Sequence, residues 1–125
     1  MSHNTPRSKI IYHLDNIDGT AVGANEVIVL PYQKFYPSET IIECMASNAL
    51  SSVPTISLGA SPTYDNILTS RELTGLLNAN NMVHVFGAQC AMQPGARICL
   101  NITKPATGGQ GLLYQIRLVL IGVLI

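Results

Sequence analysis

Residues 112–125, LLYQIRLVLIGVLI, decide the reading of this chain. Twelve of the fourteen are apolar. From Leu118 the apolar run is eight residues long, whereas a membrane-crossing helix takes about 20. β-Branched residues are frequent, and Gln115 and Arg117 fall on one alternating face, so the segment reads as a strand. Its even face (Leu112, Tyr114, Ile116, Leu118, Leu120, Leu124) is apolar throughout. Its odd face starts polar and becomes Val119, Ile121, Val123 and Ile125. A strand in a one-layer surface sheet keeps one polar face, and this one needs cover on both. The even face is expected to fill the subunit's own interior. Val119, Ile121, Val123 and Ile125 form a candidate subunit interface, covered in part by another chain.

Outward from that strand, short apolar runs alternate with turn signals, and no convincing helix period appears. Residues 9–14, 26–30, 40–50 and 55–59 read as strands, separated by Asp18-Gly19, Pro31, Tyr36-Pro37-Ser38 and Val53-Pro54. Residues 65–68 suit a short strand, and 70–77 one helical turn capped by Ser70. Residues 82–92 and 96–103 read as a hairpin around Gln93-Pro94-Gly95, and 105–111 as a loop. Seven or eight short strands with regular turns give an all-β fold: a two-sheet antiparallel β-sandwich with jelly-roll connections favoured. The competing immunoglobulin-type sandwich is usually built around a Trp, and this chain has none. One domain is expected over residues 1–125, with a short N-terminal arm of about eight residues.

Composition narrows the function. Apolar residues make up 47 % and charged residues 11 %, against a usual charged share of about 25 %. Seven basic and seven acidic side chains cancel. So little charge suggests a surface partly covered by partners. The basic residues are scattered, so no field exists to gather nucleic acid, and no membrane partner is expected. The polar start, MSHNTPRSK, leads into no signal-peptide core. Three cysteines without a CxxC do not form a secreted disulfide framework. Assembly in a reducing cytoplasm is the expectation.

The chemical motifs each have a simpler explanation. Cys90 and Cys99 flank Pro94-Gly95 symmetrically, and a hairpin there sets them opposite one another; two small buried thiols are favoured over a bridge. His84 and Cys90 are six apart on one proposed strand, roughly 20 Å, too far for a nucleophile–base pair. Asp15, Asp18 and Glu26 mimic a calcium loop, but Ile17 and Gly19 stand where oxygen ligands are needed. Gly108-Gly109-Gln110-Gly111 lacks the Lys-Ser/Thr of a P-loop. No catalytic, metal or cofactor residues are marked, and the expectation is a protein that is not an enzyme and takes no cofactor. Tyr32, Lys34, Phe35 and Tyr36 form a candidate surface contact, since rings beside a cation suit carbohydrate or protein.

Residues 40–66, TIIECMASNALSSVPTISLGASPTYDN, carry a resemblance. An alternating strand, a short polar turn, a T-I-S-L-G strand and a Tyr64-Asp65 loop follow one another. This order resembles small β-sandwich or jelly-roll virion proteins of tailed bacteriophages, and the late Pro-Gly turn and apolar final strand fit it. The resemblance implies a capsid decoration (cement) protein. Such a protein bridges major capsid protein subunits on the virion, often as a homotrimer assembled in the host bacterium, and has no catalytic residues. A phage tail, fibre or lectin-like receptor-binding module is the alternative, and it places an aromatic cluster at Tyr32, Phe35 and Tyr36 in solvent.

Overall fold

The computed structural model describes residues 8–86 and 91–125. Eight strands follow in order: β1 (Ser8–Asp18), β2 (Gly23–Val29), β3 (Phe35–Ser52), β4 (Thr55–Ala60), β5 (Leu68–Glu72), β6 (Met82–Phe86), β7 (Arg97–Lys104) and β8 (Thr107–Leu124). They form two four-stranded antiparallel sheets, β1-β8-β3-β6 (sheet A) and β2-β7-β4-β5 (sheet B). Strand 1 pairs with 8, 2 with 7, 3 with 6 and 4 with 5, as in one long hairpin. Rolling that hairpin brings β8 beside β3 and β7 beside β4. This is the two-sheet, double Greek-key order of a jelly roll.

The core lies between the sheets. Tyr114, Ile116, Leu118 and Leu120 of β8 are fully buried, as are Ile56 and Leu58 of β4 and Ile98, Leu100 and Ile102 of β7. From Tyr114 to Gly122 the alternation of β8 works as its sequence implies, with even residues inside and odd ones half-exposed, while Leu112 and Leu124 are only half-buried. Each buried aliphatic side chain contributes roughly 1.5–3 kcal/mol. The Tyr114 hydroxyl donates to the Leu76 carbonyl at 2.6 Å, so the ring is buried with its polar end satisfied.

Several local expectations change. β3 starts before the supposed Tyr36-Pro37-Ser38 turn, because Pro37 sits at a register shift between Pro37 and Glu39. A bulge tolerates the missing N–H. Ser70 lies in β5 rather than capping a helical turn. Leu73 and Leu76 then plug the core, with the Leu76 N–H closing a tight turn onto the Leu73 carbonyl at 2.9 Å. Residues 107–111 belong to β8, not to a loop. The hairpin of residues 82–92 with 96–103 does not form, since β6 and β7 lie in different sheets. Cys99 faces Glu26 on one side and Gly59 on the other, so its ladder positions are taken. Cys90 lies outside the described residues. The Pro94-Gly95 turn itself holds, with Gly95 at φ 78° and the Ala96 N–H on the Gln93 carbonyl at 3.1 Å. That geometry is type II.

Candidate functional site

The outward side chains of sheet A fall into cross-strand rows. One row runs Ile11, Ile121, Glu39, Phe86, and the next His13, Val119, Ile41, His84. Lys9, Val123 and Tyr36 lie on one side of these rows, and Arg117, Glu43 and Met82 on the other. Val119, Ile121, Val123 and Ile41 thus lie together on the two central strands with Glu39 among them, and Ile11 and Phe86 flank them on the edge strands. Val119, Ile121 and Val123 are half-exposed, while Ile11 and Phe86 are 57 % and 71 % exposed.

Several charges of this face are paired within the chain. His84 Nε2 lies 3.1 Å from Glu39 Oε2, across the β3–β6 ladder. Phe86 stacks on the same imidazole at 4.2 Å between ring centres. Arg117 Nε approaches Asp15 Oδ1 at 3.1 Å, off the hydrogen-bond direction, so the attraction is electrostatic. Asp15 also sits 3.7 Å from His13 Nδ1. With Glu39 drawn towards β6, Ile121 faces outward beside Val119 and Ile41.

The aromatic loop needs one correction. Phe35 is fully buried, so it is not a surface contact. Its ring packs edge-on to Tyr12 at 5.4 Å and lies where a side chain at position 122 would stand. Gly122 thus leaves room for Phe35. Tyr32 is 99 % exposed, Lys34 is exposed, and Tyr36 is partly so. The two candidate surfaces adjoin: Tyr36 is the ladder partner of Val123, and Lys34 and Ile125 exchange backbone hydrogen bonds of 3.1 and 2.9 Å. Ile11, Ile41 and Phe86 were not marked by the sequence. Each is a single apolar residue among polar neighbours on its own strand face, and only register unites them.

The outer side of sheet B differs. Most of its ladder residues are small or polar, among them Ala24, Asn101, Ser57, Cys99 and Gly59, with Val29 exposed at its edge. The β4–β5 connection folds back over Gly59, where any Cβ would collide with Asp65 and Asn66. Asn66 Oδ1 accepts the Ala60 N–H at 2.7 Å, and the Tyr64 side chain lies beside the Cys99 thiol. Burial pushes the Cys99 thiol above its ordinary pKa, as it does Cys44. Such thiols are poor nucleophiles at neutral pH.

Other chemistry is sparse. Among the described residues no three His, Cys, Asp or Glu side chains gather as a metal site would require. Asp18 Oδ1 accepts hydrogen bonds from the Thr20 N–H and hydroxyl at 2.9 and 2.6 Å, which makes its segment a polar turn. An open groove of about 490 Å³ lies between the β3 and β8 ends, lined by Ser51, Val53, Glu72, Leu77, Lys104 and Thr107 among others. It has no aromatic platform for a sugar.

No protein-family model matches this chain, and no curated protein sequence does. Solved structures do. A chain of the cyanophage Pam1 capsid asymmetric unit aligns with a TM-score of 0.66 at 11 % identity, covering 100 % of this chain and 91 % of that one. A chain of the acid-stable capsid structure of Helicobacter pylori bacteriophage KHP30 aligns with a TM-score of 0.61 at 13 % identity, covering 96 % and 94 %. At such identities the likeness is one of fold: this two-sheet sandwich is similar, end to end, to chains in two phage capsid structures.

Proposed function

We propose that this chain is a non-enzymatic structural protein of a bacteriophage virion, of the capsid decoration or cement type. The observation that carries the reading is the end-to-end likeness to chains of two phage capsids, with nearly all of each chain covered in both directions. A chain whose described residues form one sandwich, with exposed apolar residues on an outer face, suits a part that clamps neighbours by contact area rather than by chemistry. The partners in this reading are the major capsid protein and further copies of the chain. A homotrimer is the stoichiometry favoured for a decoration protein over a shell junction. Its place is the capsid surface, after assembly in the host bacterial cytoplasm.

Cryo-electron microscopy of the native particle tests this. The expected result is density for the jelly roll in repeated copies on the shell, touching more than one major capsid subunit. Density confined to the tail would overturn the decoration role. A tail or fibre module remains the second reading, favoured by one feature: the fully solvated Tyr32 ring on the same exposed loop as Lys34. A glycan or host-surface ligand bound through Tyr32 would support it.

A further inference from the structure

We infer that the outer face of sheet A is a symmetric contact between two copies of this chain, packed face to face about a two-fold axis along the strands. The inference goes beyond the reading above, resting only on its claim that further copies of the chain are partners, and is independent of where in a virion the protein sits.

The argument comes from the four-strand order. A two-fold axis along the strands, placed over the middle of β1-β8-β3-β6, lays β8 on the partner's β3 and β1 on the partner's β6. Rotation about such an axis leaves height along the strands unchanged, so each cross-strand row meets itself reversed. Ile11 then faces the partner copy's Phe86, Val119 faces Ile41, and Val123 faces Tyr36. Arg117 faces Glu43, which brings opposite charges together at the border. Each of these contacts occurs twice, as an isologous interface demands.

Two of the positions that are not complementary are neutralised within each chain, and Met82 comes opposite the polar end of β1 beside Arg117. Ile121 comes opposite Glu39, whose carboxylate is held by His84 at 3.1 Å. His13 comes opposite His84, and each imidazole already has its own carboxylate, Asp15 or Glu39. Ile11 thus meets Phe86, Val119 meets Ile41 and Arg117 meets Glu43, while Ile121 meets a carboxylate that His84 already holds. A second copy is therefore a fitting cover without any further partner.

The contact is modest. From strand spacing and rise, the face covers roughly 450 Å² per copy, against about 800 Å² per partner in a standard interface. Such a pair forms at high concentration, or where copies are already held side by side. A trimer, by contrast, joins two different surfaces at each contact, so the two-fold pair would link copies within or between larger assemblies.

Sedimentation equilibrium of the full chain, over a concentration series reaching its solubility limit, tests the pair with two variants, Ile11→Glu and Phe86→Lys. Both positions are solvent-exposed on an outer face, and melting curves verify that both variants fold. The wild type is expected to dimerise. Each variant alone should associate at least about tenfold more weakly, because the symmetric pair loses its contact twice. An equimolar mixture should recover a heterodimer. On one side of it the introduced carboxylate meets the introduced ammonium, and on the other the unaltered Phe86 and Ile11 meet as in the wild type. A wild type that stays monomeric throughout, or a mixture no tighter than either variant alone, overturns the inference. So does a trimer that neither variant disturbs. Imaging of the particle decides the virion role separately, so the two readings fail by different results.

Discussion

The two outer faces of this sandwich solve the same problem differently. A sheet packed on a core still presents a second side. Sheet B fills most of that side with small and polar residues and lays its own β4–β5 connection over Gly59. Sheet A places Ile11, Ile41, Val119, Ile121 and Val123 there, with no described segment of the chain across them. Side-chain size explains the difference. A strand carrying Gly59 and Ser57 admits a loop at close range; one carrying Ile121 and Val119 holds a loop away and offers apolar area to a second protein instead. A face that the chain covers itself should respond to mutation through stability, and an uncovered face through association.

The largest effect is expected at Gly59. Gly59→Val drives a side chain into the Asp65–Asn66 backbone and should lower unfolding free energy by about 3 kcal/mol, as severe overpacking does. A urea titration measures it. The same variant lifts the cover from Cys99, so iodoacetamide labelling of that thiol, mapped by mass spectrometry, should quicken relative to wild type. Unchanged stability would mean that the loop gives way freely and that sheet B is not closed by it.

The matching change on sheet A is Ile121→Ser with Val123→Ser. Both residues are half-buried in one copy, so the pair should lose about 2 kcal/mol of stability while association falls more steeply. Sedimentation beside a melting curve separates these. A fold that melts early while the oligomer persists would assign the odd face of β8 to the subunit's own interior. Asn66→Ala removes the bond to the Ala60 N–H and should cost about 1 kcal/mol in a denaturant midpoint. Association should not change. Tyr32→Ser should alter stability by less than about 0.5 kcal/mol, because the ring touches almost nothing in the subunit. Any loss of binding to host surface in that variant would then report recognition.

Much of the fold was legible because its signals are local. The alternation of β8 named the buried set Tyr114, Ile116, Leu118 and Leu120 and the half-exposed set beside it. Spacing of Pro, Gly and Asp marked most strand limits. What stayed hidden depends on distant pairing. Nothing near Pro37 shows that a bulge will carry it inside β3, and nothing near Phe35 shows that Gly122 makes room for its ring. The β6–β7 hairpin was a reasonable local inference that lost to two non-local ladders, β6 on β3 and β7 on β2 and β4. The candidate face was half legible for the same reason: β8 announces its share, while Ile11, Ile41 and Phe86 join it only through register.

The position of β8 also bears on how the polypeptide reaches this state. It is the last described strand in sequence, yet it lies inside sheet A, hydrogen-bonded to β1 on one side and β3 on the other. On a ribosome, β1 and β3 emerge long before the strand that separates them. Until β8 arrives, each has an unpaired edge of the kind that recruits foreign strands. Of the four hairpin pairings only β4–β5 joins neighbours in sequence, so most of the order is non-local and folding belongs to the slow, β-rich regime of milliseconds to seconds. The nascent chain must therefore avoid aggregation until β8 has been made, and the insertion of that one strand pairs the edges of β1 and β3 that face each other.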